Sequence, residues 1–376
     1  MVALAEIFRR YGPAYRAEFG ARLLPSHLAA MRAIEQCRTP ALGGHLYRCP
    51  NCGESRYSYH SCQNRHCPRC QHAATQQWLV QQQALLLPVP YFMLTFTLPE
   101  ALRDLARRNQ RLLYHLLFQA SAAATQQLAQ DPRFVGGQIG MVGALQTWTR
   151  DLCYHPHVHY LVPGGGLAAD GQTWHSARHN FFVPVKALSR LFRAKLRDGL
   201  RKTRLYACVP PEVWQQDWVV HCQPVGDGQA AFKYLAPYIF RVAISNKRIL
   251  KWEDDQVTFA YRRGDSGQHK TATVSAAEFI RRFLQHVLPK GFCKVRYYGL
   301  FSPAKRHRLN QVRHLLGAVT TTPALESPPA EPTNAPSSPL TLSCPHCGQP
   351  MRWVAALKPT SRSPPRPPSL RTCSPP

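Results

Sequence analysis

Acidic residues are scarce in this chain of 376 residues, and their scarcity decides its electrostatic character. Asp and Glu number only 20 against 47 Lys and Arg, so the formal net charge is +27 and the pI is near 10.0. A soluble protein with this excess carries strong self-repulsion unless a polyanion relieves it. The composition therefore excludes an acidic soluble enzyme and favours nucleic acid as the partner.

Long apolar runs are also missing from the sequence. The longest apolar-rich stretch, residues 85–98, contains two prolines and is too short to span a bilayer. The first ten residues lack the apolar core of a signal peptide, so we expect neither membrane association nor secretion. In the reducing cytoplasm that this implies, the 13 cysteines are expected to act as thiols and metal ligands rather than as disulfides.

The order of patterns along the chain predicts three segments. Residues 1–88 read as helices around a dense Cys/His block, with a last helix over 73–87. Residues 89–317 interleave strands and helices without regular alternation, which predicts an α+β domain with a mainly antiparallel sheet. Within them the patterns predict strands over 91–98, 140–147 and 157–162, one long helix or two over 102–128, and a β-meander over 245–273. Residues 318–376 are rich in Pro, Ser and Thr, so we expect a disordered linker and tail around one short C-P-H-C-G knuckle.

The Cys/His block contains two C-P-x-C knuckles separated by fourteen residues. Each knuckle presents two sulfurs on a tight turn, and two knuckles at this spacing are typical of a four-thiolate zinc ribbon. We therefore predict one structural zinc bound by Cys49, Cys52, Cys67 and Cys70.

Further candidate ligands lie near these two knuckles and at the C-terminus. A second zinc using Cys37 and Cys62 is an alternative that the sequence leaves open. The knuckle formed by Cys344 and Cys347 has no obvious partner pair in the sequence. The remaining candidates in the block are histidines, namely His45, His60, His66 and His72.

A second motif places three histidines at alternate positions, His155, His157 and His159. Residues i and i+2 of a strand face the same side, so His157 and His159 are predicted to form half of a divalent metal site. His155 is a candidate third ligand unless Pro156 ends the strand before it, and Gln146 and Asp151 are candidates to supply a ligand or orient the rings.

Three chemistries compete as explanations of this histidine pattern. A metallohydrolase of the H-x-H-x-D-H type would need an Asp and a His after His159, where the sequence has Tyr160, Leu161 and Val162. A histidine-triad nucleotide-binding protein would align its His-φ-His-φ-His-φ-φ signature with residues 155–162 and use His157 as nucleophile. A nickase would use two histidines to hold a metal that polarises a scissile phosphate.

Two tyrosines, Tyr234 and Tyr238, stand at positions i and i+4 of a predicted helix over residues 230–240. On a helix they would share a face, and both phenols could reach one phosphate to form a covalent phosphotyrosine. Pro237 is expected to kink or break that helix. The alternative is that both rings are half-buried core aromatics.

The ordered set of zinc ribbon, histidine strand and tyrosine pair resembles a known family of enzymes. It is similar to the two-tyrosine rolling-circle transposases of bacterial insertion sequences of the "IS ninety-one" type, within the HUH endonuclease superfamily. The resemblance runs from about residue 37 to 301. It is sharpest over residues 61–70, 154–160, 234–246 and 295–299.

The resemblance implies a fold, a chemistry and partners. The fold would be a palm-like antiparallel sheet flanked by helices, with the two histidines on a central strand. His157 and His159 would hold Mg²⁺ or Mn²⁺, and Tyr234 and Tyr238 would be the nucleophiles that cut and rejoin DNA. The substrate would be single-stranded DNA of the transposon ends and the target, displaced by the host replication machinery in the bacterial nucleoid.

Clustered cations agree with a DNA ligand. A basic helix predicted over residues 186–205 is a candidate track for DNA phosphates. Its candidate DNA-binding residues are Arg193, Arg197, Arg201, Lys202 and Arg204. A zinc-ribbon DNA-binding protein without catalysis remains an alternative that would explain the charge and the cysteines but not the histidines and tyrosines.

Overall fold

The computed structural model describes residues 3–70, 78, 82, 85–227, 230, 243–262, 267–317 and 342–360. Within those residues the α-helices are α1 (Leu4–Phe19), α2 (Pro25–Gln36), α3 (Arg103–Arg108), α4 (Gln110–Gln130), α5 (Val185–Arg201), α6 (Ala276–Leu284) and α7 (Arg306–Leu315). The strands there are β1 (Gly44–Arg48), β2 (Ser55–Tyr59), β3 (Tyr91–Thr97), β4 (Gly140–Trp148), β5 (Tyr154–Pro163), β6 (Gly165–Leu167), β7 (Trp174–Ser176), β8 (Val220–Pro224), β9 (Ile249–Glu253), β10 (Gln256–Arg262), β11 (His269–Ser275), β12 (Val295–Gly299) and β13 (Arg352–Leu357).

The centre of the molecule is a five-stranded sheet with the order β12-β4-β5-β3-β8. Every neighbouring pair in it is antiparallel, which confirms the predicted mixed α+β class with a mainly antiparallel sheet. The histidine strand β5 is the middle strand. Its register on β3 sets Thr95 opposite His159 and Thr97 opposite His157.

Helices α4 and α5 cover one face of this sheet. The strand β3 alternates, so Phe92, Leu94 and Phe96 point toward these helices while the intervening residues point away. Phe96 packs against Phe192 of α5, with ring centroids 5.1 Å apart. The predicted helical region after β3 divides into α3 and α4 at Asn109, whose backbone (φ −127°, ψ 44°) is not helical.

A second hydrophobic core joins the N-terminal helices to a part of the chain far away in sequence. Strands β9, β10 and β11 form the predicted β-meander, and α6 packs against it. Buried side chains of α1 and α2 enter the same core, where Phe8 meets Phe283 edge-on at 5.3 Å between ring centroids. The cysteine-bearing segment is therefore anchored to the chain around residues 243–287.

A three-stranded sheet with the order β13-β1-β2 carries the Cys/His block. Its outer strand β13 comes from the C-terminal segment and pairs antiparallel with β1. The sequence indicated a lone knuckle in a disordered region; instead, residues 342–360 fold onto the N-terminal hairpin. The physical reason is that β1 has an unpaired edge that β13 completes with backbone hydrogen bonds.

Several sequence predictions fall outside the described residues. They are most of the helix over 73–87, of which only Trp78, Gln82 and residues 85–87 are described, the tyrosine pair Tyr234 and Tyr238, the linker over 318–341 and the tail from 361. In the part of the chain that is described, no helix combines the length and apolarity needed to cross a membrane.

Candidate metal centres and the histidine face

The cysteines form two four-membered groups rather than the single predicted one. Cys37, Cys62, Cys67 and Cys70 make up the first group, and Cys49, Cys52, Cys344 and Cys347 the second. The structure thus does not bring Cys49 and Cys52 together with Cys67 and Cys70, and the prediction of one ribbon from these two knuckles is corrected.

The β1–β2 hairpin explains why the two knuckles separate. Cys49 and Cys52 lie in the turn that joins β1 to β2, at one end of the hairpin. Cys62, Cys67 and Cys70 follow the other end, after β2. An antiparallel strand rises about 3.4 Å per residue, so a five-residue strand separates the two ends of the hairpin by roughly 17 Å.

The sulfur spacing in the first group fits zinc. Cys37 Sγ lies 3.6 Å from Cys70 Sγ and 3.7 Å from Cys67 Sγ, and Cys62 Sγ lies 3.6 Å from Cys70 Sγ. A tetrahedral Zn²⁺ with bonds of about 2.3 Å requires sulfurs about 3.8 Å apart, whereas a disulfide requires about 2.05 Å. Cys37 terminates α2 and is buried, so this group also fastens the helical segment to the knuckle.

The second group has the same spacing. Cys49 Sγ lies 3.5 Å from Cys347 Sγ, and Cys52 Sγ lies 3.5 Å from Cys344 Sγ. These four thiols also suit a tetrahedral zinc and not a pair of disulfides. The knuckle that had no partner in the sequence therefore finds its partner at the other end of the chain.

The histidines of β5 share one face of the central sheet, as the sequence predicted. Burial alternates along this part of β5. The histidines are partly buried on one side, and the residues between them are buried on the other, namely Tyr154, Pro156, Val158 and Tyr160. The His157 and His159 ring centroids lie 4.8 Å apart, and those of His155 and His157 lie 5.3 Å apart.

The strand runs through Pro156 instead of ending there. Pro156 has no N–H to donate, but its carbonyl accepts a hydrogen bond from Leu98 N at 3.0 Å. On the other side the register with β4 shifts between Gln146 and Trp148, which relieves the pairing opposite the proline. His155 is consequently part of the strand and lies on the histidine face.

Both central imidazoles are fixed through Nδ1. His157 Nδ1 lies 2.6 Å from the His155 carbonyl oxygen, and His159 Nδ1 lies 2.9 Å from Thr95 Oγ1. The His155 carbonyl can only accept, so His157 carries its proton on Nδ1 and leaves Nε2 free for a metal. The Thr95 hydroxyl can donate or accept, and it would accept from Nδ1–H of His159 when Nε2 of that ring binds a metal. The geometry therefore orients two imidazoles as ligands before any metal arrives.

Burial keeps both rings in the form that a metal needs. It lowers the pKa of His157 to about 4. It lowers the pKa of His159 well below its ordinary value, and the neighbouring His157 adds to this effect. Both imidazoles are neutral near pH 7, so no proton has to be displaced from Nε2 when a cation binds.

The candidates for a third ligand or an orienting group are placed differently. Gln146 is buried on β4 directly opposite His157, so it shares the histidine face. Asp151 lies in the β4–β5 turn, where Thr149 and Cys153 hydrogen-bond to its carboxylate. Among the described residues, groups of three or more ligand atoms from His, Cys, Asp or Glu that lie within 4.8 Å of one another occur only in the two cysteine groups. His155 therefore does not complete a three-ligand site with His157 and His159.

Two residues of the histidine face were missed by sequence reasoning. Thr95 holds the His159 ring, and His221 of β8 lies opposite Thr95 in the register. His159, Thr95 and His221 therefore form one row across three strands. The alternation of β3 could have indicated Thr95, but His221 stands alone in a short strand with no motif around it.

The basic helix lies on the other side of the sheet. The apolar residues of α5, including Phe192, pack on the face opposite the histidines, so the cations of α5 point away from the sheet. Arg193 donates to the Gln216 carbonyl, and Arg201 lies 5.5 Å from the Tyr206 ring centroid. Asp198 lies 3.9 Å from Arg197, while Lys202 and Arg204 are exposed.

Comparison with known proteins gives a consistent result. A family model described as "Putative transposase" matches residues 140–308, and one described as "Transposase zinc-binding domain" matches residues 7–98. The chain is 43% identical over 351 residues to "Putative transposase y4qJ" of Sinorhizobium fredii (strain NBRC 101917 / NGR234), with 87% of each chain covered. It is 31% identical over 287 residues to "Transposase for insertion sequence element IS801" of Pseudomonas savastanoi pv. phaseolicola, with 71% of this chain and 68% of that protein covered.

These matches span both the cysteine-bearing segment and the histidine face. They confirm the resemblance that the zinc knuckles, the histidine strand and the tyrosine pair indicated. The chain belongs to the IS91-type family of insertion-sequence transposases and carries that family's zinc-binding domain at its N-terminus.

Proposed function

We propose that this transposase nicks and joins single-stranded DNA, with His157 and His159 holding a divalent cation and Tyr234 and Tyr238 serving as nucleophiles. The observation that carries the proposal is the pair of neutral imidazoles, both anchored through Nδ1, on the middle strand of an antiparallel sheet. A sheet with this pair at its centre agrees with the HUH class of endonucleases that the sequence resembles.

The histidines and their neighbours prepare the site. Thr95 of β3 and the His155 carbonyl of β5 hydrogen-bond to Nδ1 of the two rings and so fix the orientation of both Nε2 atoms. Mg²⁺ or Mn²⁺ bound there would polarise the scissile phosphate and stabilise charge in the transition state. Gln146, opposite His157, is in position to orient a ligand or a bound water.

The tyrosines supply the covalent step. The phenol oxygen of one tyrosine attacks phosphorus and loses its proton to solvent. The bond from phosphorus to the 3′ oxygen breaks, and the leaving 3′ oxygen takes up a proton from solvent. The products are a 5′-phosphotyrosine and a free 3′-hydroxyl. Attack of a 3′-hydroxyl on the phosphotyrosine reverses the step and rejoins DNA, so a second tyrosine allows a second strand to be cut before the first is released.

The ends of the tyrosine-bearing segment support this role. The chain leaves the central sheet at Pro224, the end of β8, and the described residues after it are 225–227, Ala230 and those from Ala243 onward. Ala243 packs in the same core as Trp148 and Leu152, beside the β4–β5 turn. In the sheet order, the histidine strand β5 lies between β8 and β4, so the described residues before and after the tyrosine pair lie near strands on either side of β5.

The charge of the chain supports a DNA substrate. A net charge of +27 gives strong attraction to phosphates and predicts binding that weakens steeply with salt. Because α5 lies behind the sheet, we propose that its cations hold DNA away from the cut phosphate instead of lining the histidine site. The substrate would be single-stranded transposon ends and target, made available by host replication.

One assay tests the proposal against its alternatives. The protein is incubated with single-stranded oligonucleotides from the element's ends and Mg²⁺ or Mn²⁺, and a denaturant-stable protein–DNA adduct is sought. We expect an adduct that Tyr234→Phe or Tyr238→Phe weakens and that the double change abolishes. His157→Ala with His159→Ala should remove the adduct and the metal dependence.

Each alternative gives a different result in the same assay. A non-catalytic zinc protein would shift the oligonucleotide in a salt-sensitive manner and form no adduct. A histidine-triad enzyme would form an adduct that survives the double tyrosine change and depends on His157. Either result would refute the tyrosine mechanism.

A further inference from the structure

The second cysteine group is built from the two ends of the chain. Cys52 and Cys344 are 292 positions apart in sequence, yet their sulfurs lie 3.5 Å apart. The match to the transposase zinc-binding domain ends at residue 98, so it covers Cys49 and Cys52 but neither of the C-terminal ligands.

The two knuckles of this group have the same backbone fold. Cys49 N donates to Glu54 O at 2.8 Å, and Cys344 N donates to Gln349 O at the same distance. In each knuckle the glycine four residues after the first cysteine donates back to that cysteine's carbonyl and adopts φ +74°. A left-handed backbone favours glycine, which explains why both knuckles read C-P-x-C-G.

The strands that follow extend the contact between the two ends. Strand β13 pairs with β1 from Gly44 opposite Leu357 to Arg48 opposite Arg352. Gly43 approaches this segment so closely that a Cβ there would lie 2.5 Å from the Leu357 carbonyl oxygen. The register of this pairing shifts once, between Leu46 and Tyr47. Knuckle and strand together fix the position of the C-terminal segment on the N-terminal hairpin.

Apolar packing alone is too small to hold this arrangement. The buried cluster at the junction comprises Cys49, Cys344 and Met351, with a few partly buried neighbours. Trp353 of β13 remains 56% exposed, so the new strand buries little of its largest side chain. Small modules with so little core depend on disulfides or a metal for stability.

We propose that Cys49, Cys52, Cys344 and Cys347 bind a second structural zinc that clasps the C-terminal segment onto the N-terminal hairpin. The four sulfurs have the spacing of a tetrathiolate site, and each chain end supplies half of it. A clip that closes a loop of this length restricts the unfolded chain strongly, so its metal contributes to the folding of both ends. The proposal does not depend on the DNA chemistry.

Metal content gives the first test. The purified full-length protein should contain two zinc ions per chain by elemental analysis. Cys344→Ser with Cys347→Ser should lower the content to one, and Cys49→Ser with Cys52→Ser should do the same. Cys208→Ser is the matched control because this thiol is exposed and outside both groups, and it should leave two.

A second test asks whether the metal holds the segment in place. A protease site is inserted near residue 330, between the described parts of the chain, and the protein is cut under native conditions. The C-terminal fragment should co-elute with the rest of the protein, and it should dissociate in the Cys344→Ser, Cys347→Ser variant. Three results would overturn the proposal. They are one zinc per chain in the wild type, two zincs per chain in the Cys344→Ser, Cys347→Ser variant, and a cut wild-type fragment that dissociates although its zinc site is loaded.

Discussion

Replacing Thr95 by valine should weaken metal binding at the histidine face without removing a ligand. Thr95 Oγ1 lies 2.9 Å from His159 Nδ1, and the residue stands opposite His159 in the β3–β5 register. Valine has nearly the same shape but cannot accept a hydrogen bond. The ring would lose the contact that fixes its rotation and its tautomer.

The magnitude follows from the environment of the bond. A partner that orients a metal-binding histidine is typically worth about 10-fold to 100-fold in metal affinity. That range corresponds to about 1.4 to 2.7 kcal/mol, which agrees with the cost of about 1–3 kcal/mol for leaving a buried N–H without its partner. We therefore expect Thr95→Val to raise the Kd for Mn²⁺ by about 10-fold to 100-fold.

The assay is calorimetric titration of Mn²⁺ into zinc-loaded protein, together with the Mn²⁺ dependence of nicking. Thr95→Ser keeps the hydroxyl and should recover most of the affinity. Thr97→Val is the matched control, since Thr97 lies on the same face but its hydroxyl makes no hydrogen bond with a described residue. Wild-type affinity in Thr95→Val, or an equal loss in Thr97→Val, would refute the assignment of Thr95 as a positioning residue.

Two further predictions concern stability. Gly143→Ala should destabilise the protein by about 1–3 kcal/mol in urea denaturation, because a Cβ there would lie 2.5 Å from the Tyr160 ring. Gly20→Ala, with no atom within 4 Å of its Cβ, should cost much less, and equal losses would contradict this view of the core. The hydrogen bond from Arg281 holds the pKa of Glu278 at about 2, below its ordinary 4.5, so the carboxylate stabilises the fold above about pH 4.5 and loses that contribution as the pH falls toward 2. In thermal melting, Glu278→Gln should be less stable than the wild type at pH 7 and equally stable near pH 2. A difference in melting temperature that stays constant with pH would show that the charge of Glu278 does not contribute to stability.

Alternating side-chain patterns were sufficient to predict the central strands. In β3 and β5 the two faces of the sheet meet different surroundings, so buried residues alternate with Thr95 or with the histidines. The same alternation placed His157 and His159 on one face. Pro156 did not end β5 because the irregular pairing opposite it removes the need for its missing donor.

Pairing between distant motifs was beyond the sequence. Each C-P-x-C-G knuckle folds by its own local hydrogen bonds, so the sequence identifies metal-binding sulfurs but not which knuckles meet. The nearest pairing in sequence, Cys52 with Cys67, is prevented by the length of the β1–β2 hairpin between them. The partner of Cys49 and Cys52 becomes visible only once β13 is known to pair with β1.

The side of the sheet that a helix covers is a similar case. The spacing of Leu188, Phe192 and Leu196 shows which face of α5 is buried. It carries no information about which face of the sheet receives them. The cations of α5 were therefore predicted correctly as a helical stripe, while their position behind the histidine face follows only from the packing of Phe192 on Phe96.

The most direct test of the account is to find the atom to which DNA becomes attached. The adduct formed with a single-stranded transposon end and Mn²⁺ is digested with nuclease and trypsin, and the modified peptide is fragmented in a mass spectrometer. Cleavage after Lys233 and Arg241 yields a peptide of residues 234–241 that contains both tyrosines. We predict a 5′-nucleotide on Tyr234 or Tyr238 in the wild type and none when His157 and His159 are both alanine; a nucleotide on a histidine, or on any other residue, would contradict the mechanism.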